Sequence, residues 1–311
     1  MDYNFTATGS INGPVLAAVF AVEAVVGFIA NIIVLSITLY QRKSFKQPST
    51  IFFTSLILSD LLDVLVYLPM TTVSTGAEEW IFGSTFEQRR ATCVFSGIIF
   101  WFILYVTTGV LAAISFDKCL FITKPYFYKR FMKPWVALTI TVALWIIIGL
   151  MFTLPLISFE DYYYYGIYFG PCYVGFLGKI IYSIMFGLWL IFIVTIIVTS
   201  VWTFCFTRRF INNQSAIGGE NAYNSRKMKL FGIFGSMLLA YTLCYAPAVI
   251  IGFISFGFAL PYEVFATTTV ALHFAPIVSP IIQAYFRPEI TKSLVSFKNA
   301  LCEKLRCSHS N

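Results

Sequence analysis

Charge is scarce along this chain. Asp, Glu, Lys and Arg make up 11% of it, where a soluble domain carries about 25%, so a water-soluble globular domain is excluded. Histidine is scarcer still. Only His273 and His309 occur, too few for a multi-histidine metal centre. The patterns G-x-S-x-G and H-E-x-x-H are both missing, and apolar spans occupy nearly the whole chain. That leaves no room for a soluble catalytic domain and points away from an enzyme. The internal repeats and paired broken helices that mark many transporters are absent too. Ahead of the first span there is neither a basic segment nor a small-residue cleavage site, so that span is expected to act as the insertion signal.

What is present is apolar: 59% of residues, with 33 Phe and 18 Tyr. Seven stretches are long enough to cross a bilayer, at about 15–40, 50–73, 91–116, 134–158, 176–206, 230–258 and 262–286. All but three of the 21 Lys and Arg fall in the odd-numbered connections and the tail, the exceptions being Arg89, Arg90 and Lys179. Basic loops stay cytoplasmic, so the N-terminus is expected outside and the C-terminus inside. The net charge of +7 then reflects topology and contact with anionic membrane lipids, not nucleic acid. Asn4-Phe5-Thr6 is a glycosylation sequon on the outer side. The organisation reads as a short tail (1–14), a bundle (15–286) and an amphipathic cytoplasmic segment (287–311).

The stretch Cys93–Pro125 organises the rest. Val94 to Phe116 carries no charge, enough helix to cross a core about 30 Å thick. A cysteine sits at one end, and Asp117-Lys118-Cys119 with Pro125 at the other. This resembles the third transmembrane helix of rhodopsin-like G-protein-coupled receptors, with D-K-C in place of D-R-Y. The remaining spans carry further motifs of that family in order. They are Asn31 with Val34; Leu56 with Asp60; Trp80-Ile81-Phe82-Gly83; Trp145 with Pro155; Tyr241, Cys244, Tyr245 and Pro247 for F-x-x-C-W-x-P; and Ser279-Pro280-Ile281-Ile282-Gln283 for N-P-x-x-Y. Span five lacks the usual mid-helix proline, which implies a straighter helix.

The resemblance implies an all-α membrane protein, a seven-transmembrane helix bundle with a short amphipathic helix eight. It also implies a disulfide between Cys93 and Cys172, and a polar core of Asn31, Asp60, Asp63 and Thr107. Near Asp60 it implies a sodium site, weakened because Ala275 and Pro276 replace polar ligands; the other reading is a hydrated Asp60–Asp63 pair. The activation switch falls on Tyr241, Tyr245, Pro247, Ser279, Pro280 and Gln283. Coupling to a heterotrimeric G protein falls on Asp117, Lys118, Pro125, Arg226 and Lys227. Asp117 is expected to hold Lys118 locally, since Arg226 and Lys227 stand where relatives place a Glu. Cys302 and Cys307 are palmitoylation candidates.

The ligand pocket implied by the family comprises Phe100, Trp101, Leu104, Tyr245, Ala248, Val249, Thr269 and His273, mostly apolar. Phe100 stands where amine receptors carry an Asp, which disfavours a monoamine of the usual kind. His273 replaces the retinal-linking lysine of opsins. It is either a ligand contact or a packed histidine bonded to Glu23 or a tyrosine. The expected function is a plasma-membrane receptor that transmits binding of a small apolar molecule or short peptide to a G protein. The alternative is a receptor fold that no longer signals and acts as decoy, scaffold or dimer partner, motivated by Lys118, Ser279 and Gln283. A channel or transporter using Glu23, Asp60 and Asp63 is a third reading.

Overall fold

A computed structural model describes residues 11–41, 46–158, 163–167, 172–176, 179–215, 241–255, 258, 260–286, 290–293 and 295–296. Among them, six helices are long and apolar enough to cross a membrane, and Tyr241–Ile254 is a shorter apolar helix. These seven occupy the seven expected spans.

Helix α1 (Gly13–Tyr40) begins where the Asn12 Oδ1 accepts the Val15 N–H at 3.1 Å, one turn ahead of an unbroken apolar run. Helix α2 (Pro48–Ala77) starts at a proline, whose missing N–H costs nothing in a first turn. Its middle is not regular. Asp63–Tyr67 forms a π turn, with the Leu68 N–H reaching back to the Asp63 carbonyl. Pro69 explains it: a proline cannot donate to the preceding turn, and a widened turn accommodates the lost bond. The sequence reading had no such turn.

Helix α3 (Phe86–Thr123) is capped by Thr85, whose Oγ1 accepts the Gln88 N–H, and it gives way to α4 (Pro125–Phe131) at Pro125. Helix α5 spans Pro134–Ser158. Strands β1 (Tyr163–Ile167) and β2 (Cys172–Phe176) pair antiparallel, Ile167 opposite Cys172. The hairpin lies in a connection and leaves the all-α bundle as expected; there, β-branched and aromatic residues pair as short strands. Helix α6 (Lys179–Ser215) runs without interruption, as a span without proline should. Helix α7 is Tyr241–Ile254. The last span is two helices, α8 (Tyr262–His273) and α9 (Ala275–Phe286), broken at Phe274 ahead of Pro276.

Lipid is as apolar as leucine, so burial alone does not hold such helices together; close packing and interhelical hydrogen bonds do. The long helix α3 is central and packs on α2, α5 and α6. Leu104, Tyr105, Val106, Val110 and Leu111 are its buried face. The Tyr105 hydroxyl donates to the Met185 carbonyl on α6 at 2.6 Å, and Trp145 Nε1 on α5 donates to Ser55 Oγ on α2 at 2.8 Å. A second cluster joins α1, α2 and α8 through Phe20, Val34, Ile57, Val64, Leu68 and Ala266, with Ile290 closing it. Val22, Ile29, Ile147, Ile191 and Trp202 face outward, a surface suited to hydrocarbon.

Candidate functional site

At one end of the bundle Cys93 and Cys172 are joined by a disulfide, Cα atoms 5.2 Å apart, which pins β2 to α3. Trp80 is wholly buried against it with Met70 and Phe82, and its Nε1 donates to Thr92 Oγ1 at 3.0 Å. Gly83 holds φ +128°, and a Cβ there would lie 2.6 Å from the Arg89 nitrogen, so only glycine fits this turn.

Halfway along, α1, α2 and the α8–α9 break meet in a polar seam. Asn31 Nδ2 donates to the Gly27 and Pro276 carbonyls at 2.8 and 2.7 Å, tying α1 to the break. The π turn brings Asp63 against the end of α8, where His273 Nδ1 donates to Asp63 Oδ2 at 2.8 Å. That replaces two expectations. The histidine's partner is Asp63 rather than Glu23 or a tyrosine, and Asp63 is turned to an imidazole rather than paired with Asp60. Thr107 is likewise taken: its hydroxyl meets Ser59 Oγ at 2.7 Å instead of serving Asp60.

Aromatic rings enclose the imidazole. Tyr67 stacks on it with centroids 5.2 Å apart, and Phe20 and Phe100 meet it edge-on at 6.1 and 6.3 Å. Several oxygens here have no hydrogen-bond partner among the described residues: both of Glu23, Asp60 Oδ2 and Asp63 Oδ1. All three side chains are buried. A cavity of about 20 Å³ lies among Asp60, Asp63, Phe100, Tyr245 and His273. No group of three His, Cys, Asp or Glu suited to a metal ion occurs among the described residues.

The expected pocket residues do not all meet. Phe100, Leu104, Tyr245 and His273 line the small cavity. Trp101 lies edge-on to Phe100 at 5.4 Å and to Tyr105 at 6.4 Å. Ala248 and Val249 pack on the α3 cluster. The Thr269 hydroxyl is spent on the Phe265 carbonyl of its own helix at 2.9 Å. A larger cavity of about 190 Å³ runs between α3, α6 and α7, from Val249 and Tyr245 past Tyr241 to Ser115 and Lys118. On α9, Gln283 Nε2 donates to Ser279 Oγ at 3.4 Å, one turn away and astride Pro280. Pro247 lies within α7.

The other end of α3 is a closed polar cluster. Asp117 is fully buried. Its Oδ2 accepts from Ser49 Oγ at 2.6 Å and its Oδ1 from the Tyr128 hydroxyl at 2.9 Å. Lys118 Nζ donates to Ser49 Oγ at 2.8 Å and lies 3.8 Å from Asp117 Oδ2. Burial first, and then the Asp117 carboxylate beside it, hold the Tyr128 phenol well above its usual range, so it stays a donor. Pro125 opens the short helix that delivers Tyr128.

Sequence reasoning missed Tyr67, Ser49 and Tyr128. Pro69 was the available signal for the turn that places Tyr67; Ser49 and Tyr128 gave none beyond their polarity near Asp117. Asn4, Arg226, Lys227, Cys302 and Cys307 lie outside the described residues.

Comparison with known proteins accounts for this arrangement. The profile of the 7 transmembrane receptor (rhodopsin family) matches residues 30–282. Galanin receptor 2a of Danio rerio is 24% identical over 155 residues, 50% of this chain and 41% of that protein. Probable G-protein coupled receptor 45 of Homo sapiens is 31% identical over 109 residues, 35% of this chain and 27% of that protein. The high-affinity lysophosphatidic acid receptor of Xenopus laevis is 28% identical over 109 residues, again 35% and 27%. The chain thus spans less than half the length of these curated relatives. With the family profile covering most of the bundle, and with the disulfide and membrane-length helices in place, this chain belongs to the rhodopsin family of seven-transmembrane receptors.

Proposed function

We propose that this receptor sits in the plasma membrane with its N-terminus outside, and passes the binding of an extracellular ligand to a heterotrimeric G protein. The ligand is a small, largely apolar molecule or a short peptide, entering from the Cys93 end. Relatives named for a peptide and for a lysophospholipid are consistent with either. Binding near Phe100 and His273 biases movement of α7 about Pro247, and the G protein engages Lys118 and the basic helix ends. Control requires that the ligand prefer one of the two arrangements.

The observation that carries this reading is the cavity between α3, α6 and α7. It runs from Tyr245, which also borders the His273 cavity, to Lys118 at the far end. A change at Tyr245 therefore has a loosely packed route to the coupling end. Packed interiors switch between arrangements rather than deform smoothly, and a void is where a second arrangement fits. A sodium ion at Asp60 belongs to this reading as a modest contributor: Asp60 Oδ2 is free of partners among the described residues, but Thr107 is occupied by Ser59.

The test is G-protein activation in cells at matched surface expression, comparing wild type, Lys118→Arg and Lys118→Ala. Activity in wild type that Lys118→Ala abolishes supports coupling; activity unchanged in Lys118→Ala contradicts it. A non-signalling receptor fold is the second reading, favoured by the closed hydrogen bonding around Asp117. It predicts a silent wild type under every ligand that binds. Full ligand response after replacing both His273 and Phe100 would remove the ligand from this pocket.

A further inference from the structure

The acids of the seam are short of donors. Glu23 Oε1 and Oε2, Asp60 Oδ2 and Asp63 Oδ1 are four buried oxygens without a partner among the described residues. Their side chains are 2%, 2% and 4% exposed. Burying a carboxylate oxygen without a donor is costly, so this concentration at one level of the bundle calls for a group that donates. Charge says the same. Asp60 and Asp63 line the cavity with His273 as its one basic side chain, and that lining contains no lysine or arginine. Glu23 lies one helical turn from Phe20, which meets the histidine ring edge-on.

Thr107, Ser59 and the His273 Nδ1–H are committed donors. Thr107 and Ser59 bond each other, and His273 Nδ1 is on Asp63 Oδ2, which leaves Asp63 Oδ1 bare. In the neutral tautomer His273 Nε2, also without a partner, is one more acceptor. The aromatic rings lining the cavity are those of Phe100 and Tyr245, and aromatic faces attract cations. The space of about 20 Å³ admits one small head group and no more.

We propose that this seam is the subsite for the ammonium group of a protonated primary amine borne on an apolar or aromatic body, with Asp63 Oδ1 and Asp60 Oδ2 as its acceptors and Phe100 and Tyr245 as its aromatic walls. Glu23 stands nearby on α1, with both oxygens unpartnered among the described residues. This deepens the receptor reading and rests on it. An ammonium brings three N–H donors, which match the bare oxygens of Asp60 and Asp63. Phe100 on α3 leaves no acid on that helix at this level, and the acids stand across the cavity on α2 instead. The amine-binding chemistry that Phe100 removes from α3 is therefore supplied by α2. A small arylalkylamine and the free N-terminus of a short peptide present the same group.

The experiment uses the full chain purified into lipid nanodiscs, without a G protein, so a receptor that fails to signal and a seam that fails to bind are told apart. Thermal-shift and calorimetric titrations compare 2-phenylethylamine with its neutral counterpart 2-phenylethanol, and diphenylalanine amide with its N-acetylated form. All are run in sodium and in potassium buffer. One or both amines are expected to bind, identifying a small amine or a peptide N-terminus as the source, with each neutral partner weaker by about tenfold or more. Asp63→Asn should cut amine affinity about tenfold or more, and Glu23→Gln, which touches no hydrogen bond of His273, by a smaller factor. Equal binding of charged and neutral partners overturns the proposal. So does amine binding unchanged in the folded Glu23→Gln and Asp63→Asn variants. Stabilisation by sodium with none by either amine overturns it in favour of a small metal cation.

Discussion

Asp117 and Asp63 each stand beside a basic side chain, at two levels of the same bundle, yet their surroundings differ. Around Asp117 both oxygens are met, by Ser49 and Tyr128, and Lys118 closes the group at 3.8 Å. Around Asp63 only one oxygen is met, by His273, and Asp60 and Glu23 nearby have bare oxygens of their own. A buried polar group that is fully satisfied fixes a structure; one that is left short is held there by the rest of the fold and favours a visitor. The first cluster is thus read as a latch joining α2, α3 and α4, and the second as a site.

Removing the latch should have the largest effect. Asp117→Ala strands Ser49, Tyr128 and Lys118 together, and is expected to lower stability by about 3 kcal/mol, measured by thermal or chemical unfolding in detergent. Tyr128→Phe deletes one hydrogen bond to a charged acceptor and should cost about 1.5 kcal/mol in the same assay. A loss for Tyr128→Phe equal to that of Asp117→Ala would mean that Ser49 and Lys118 contribute nothing.

The seam should answer in the opposite sense. Asp63→Asn keeps an acceptor for His273 while removing an unmet charge, so its stability should stay within about 1 kcal/mol of wild type or rise. A large loss would show the Asp63–His273 pair to be a latch as well.

The smallest effect expected is of pH on the latch. The Tyr128 phenol is shifted upward in the folded protein relative to an unfolded value near 10. A group raised on folding contributes fully below its unfolded value and loses that contribution only above it. Between pH 6 and 9, the difference in stability between wild type and Tyr128→Phe should therefore be constant. A difference that shrinks within that window would place the titration elsewhere.

The spans, the order of motifs and the Cys93–Cys172 bridge were legible because each depends on a local pattern: an apolar run, a proline, a cysteine at a helix end. The seam was not. Asp63 and His273 are far apart in the chain, and what joins them is a π turn whose cause, Pro69, lies six residues past Asp63. A regular α2 would lack the extra residue of that turn, so the residues past it would face another side of the helix, and Asp63 bonds His273 rather than Asp60. Phe100 removes an acid from α3 alone, while Asp60 and Asp63 stand across the cavity on α2. The latch was half legible: Asp117 beside Lys118 is a sequence fact, but Ser49 and Tyr128 arrive from other helices. The β hairpin was hidden in a connection rich in tyrosine, where strand pairing and a wet aromatic surface draw on the same residues.

The most direct test of the contrast is a pair of isosteric neutralisations measured side by side. Asp117→Asn and Glu23→Gln each replace a buried carboxylate by an amide of nearly the same shape, so packing is kept and only charge and hydrogen bonding change. In matched nanodiscs, thermal unfolding should show Asp117→Asn clearly below wild type, and Glu23→Gln equal to it or above. If Glu23→Gln falls as far as Asp117→Asn, the seam is a satisfied structural cluster like the latch, and the distinction between them is wrong.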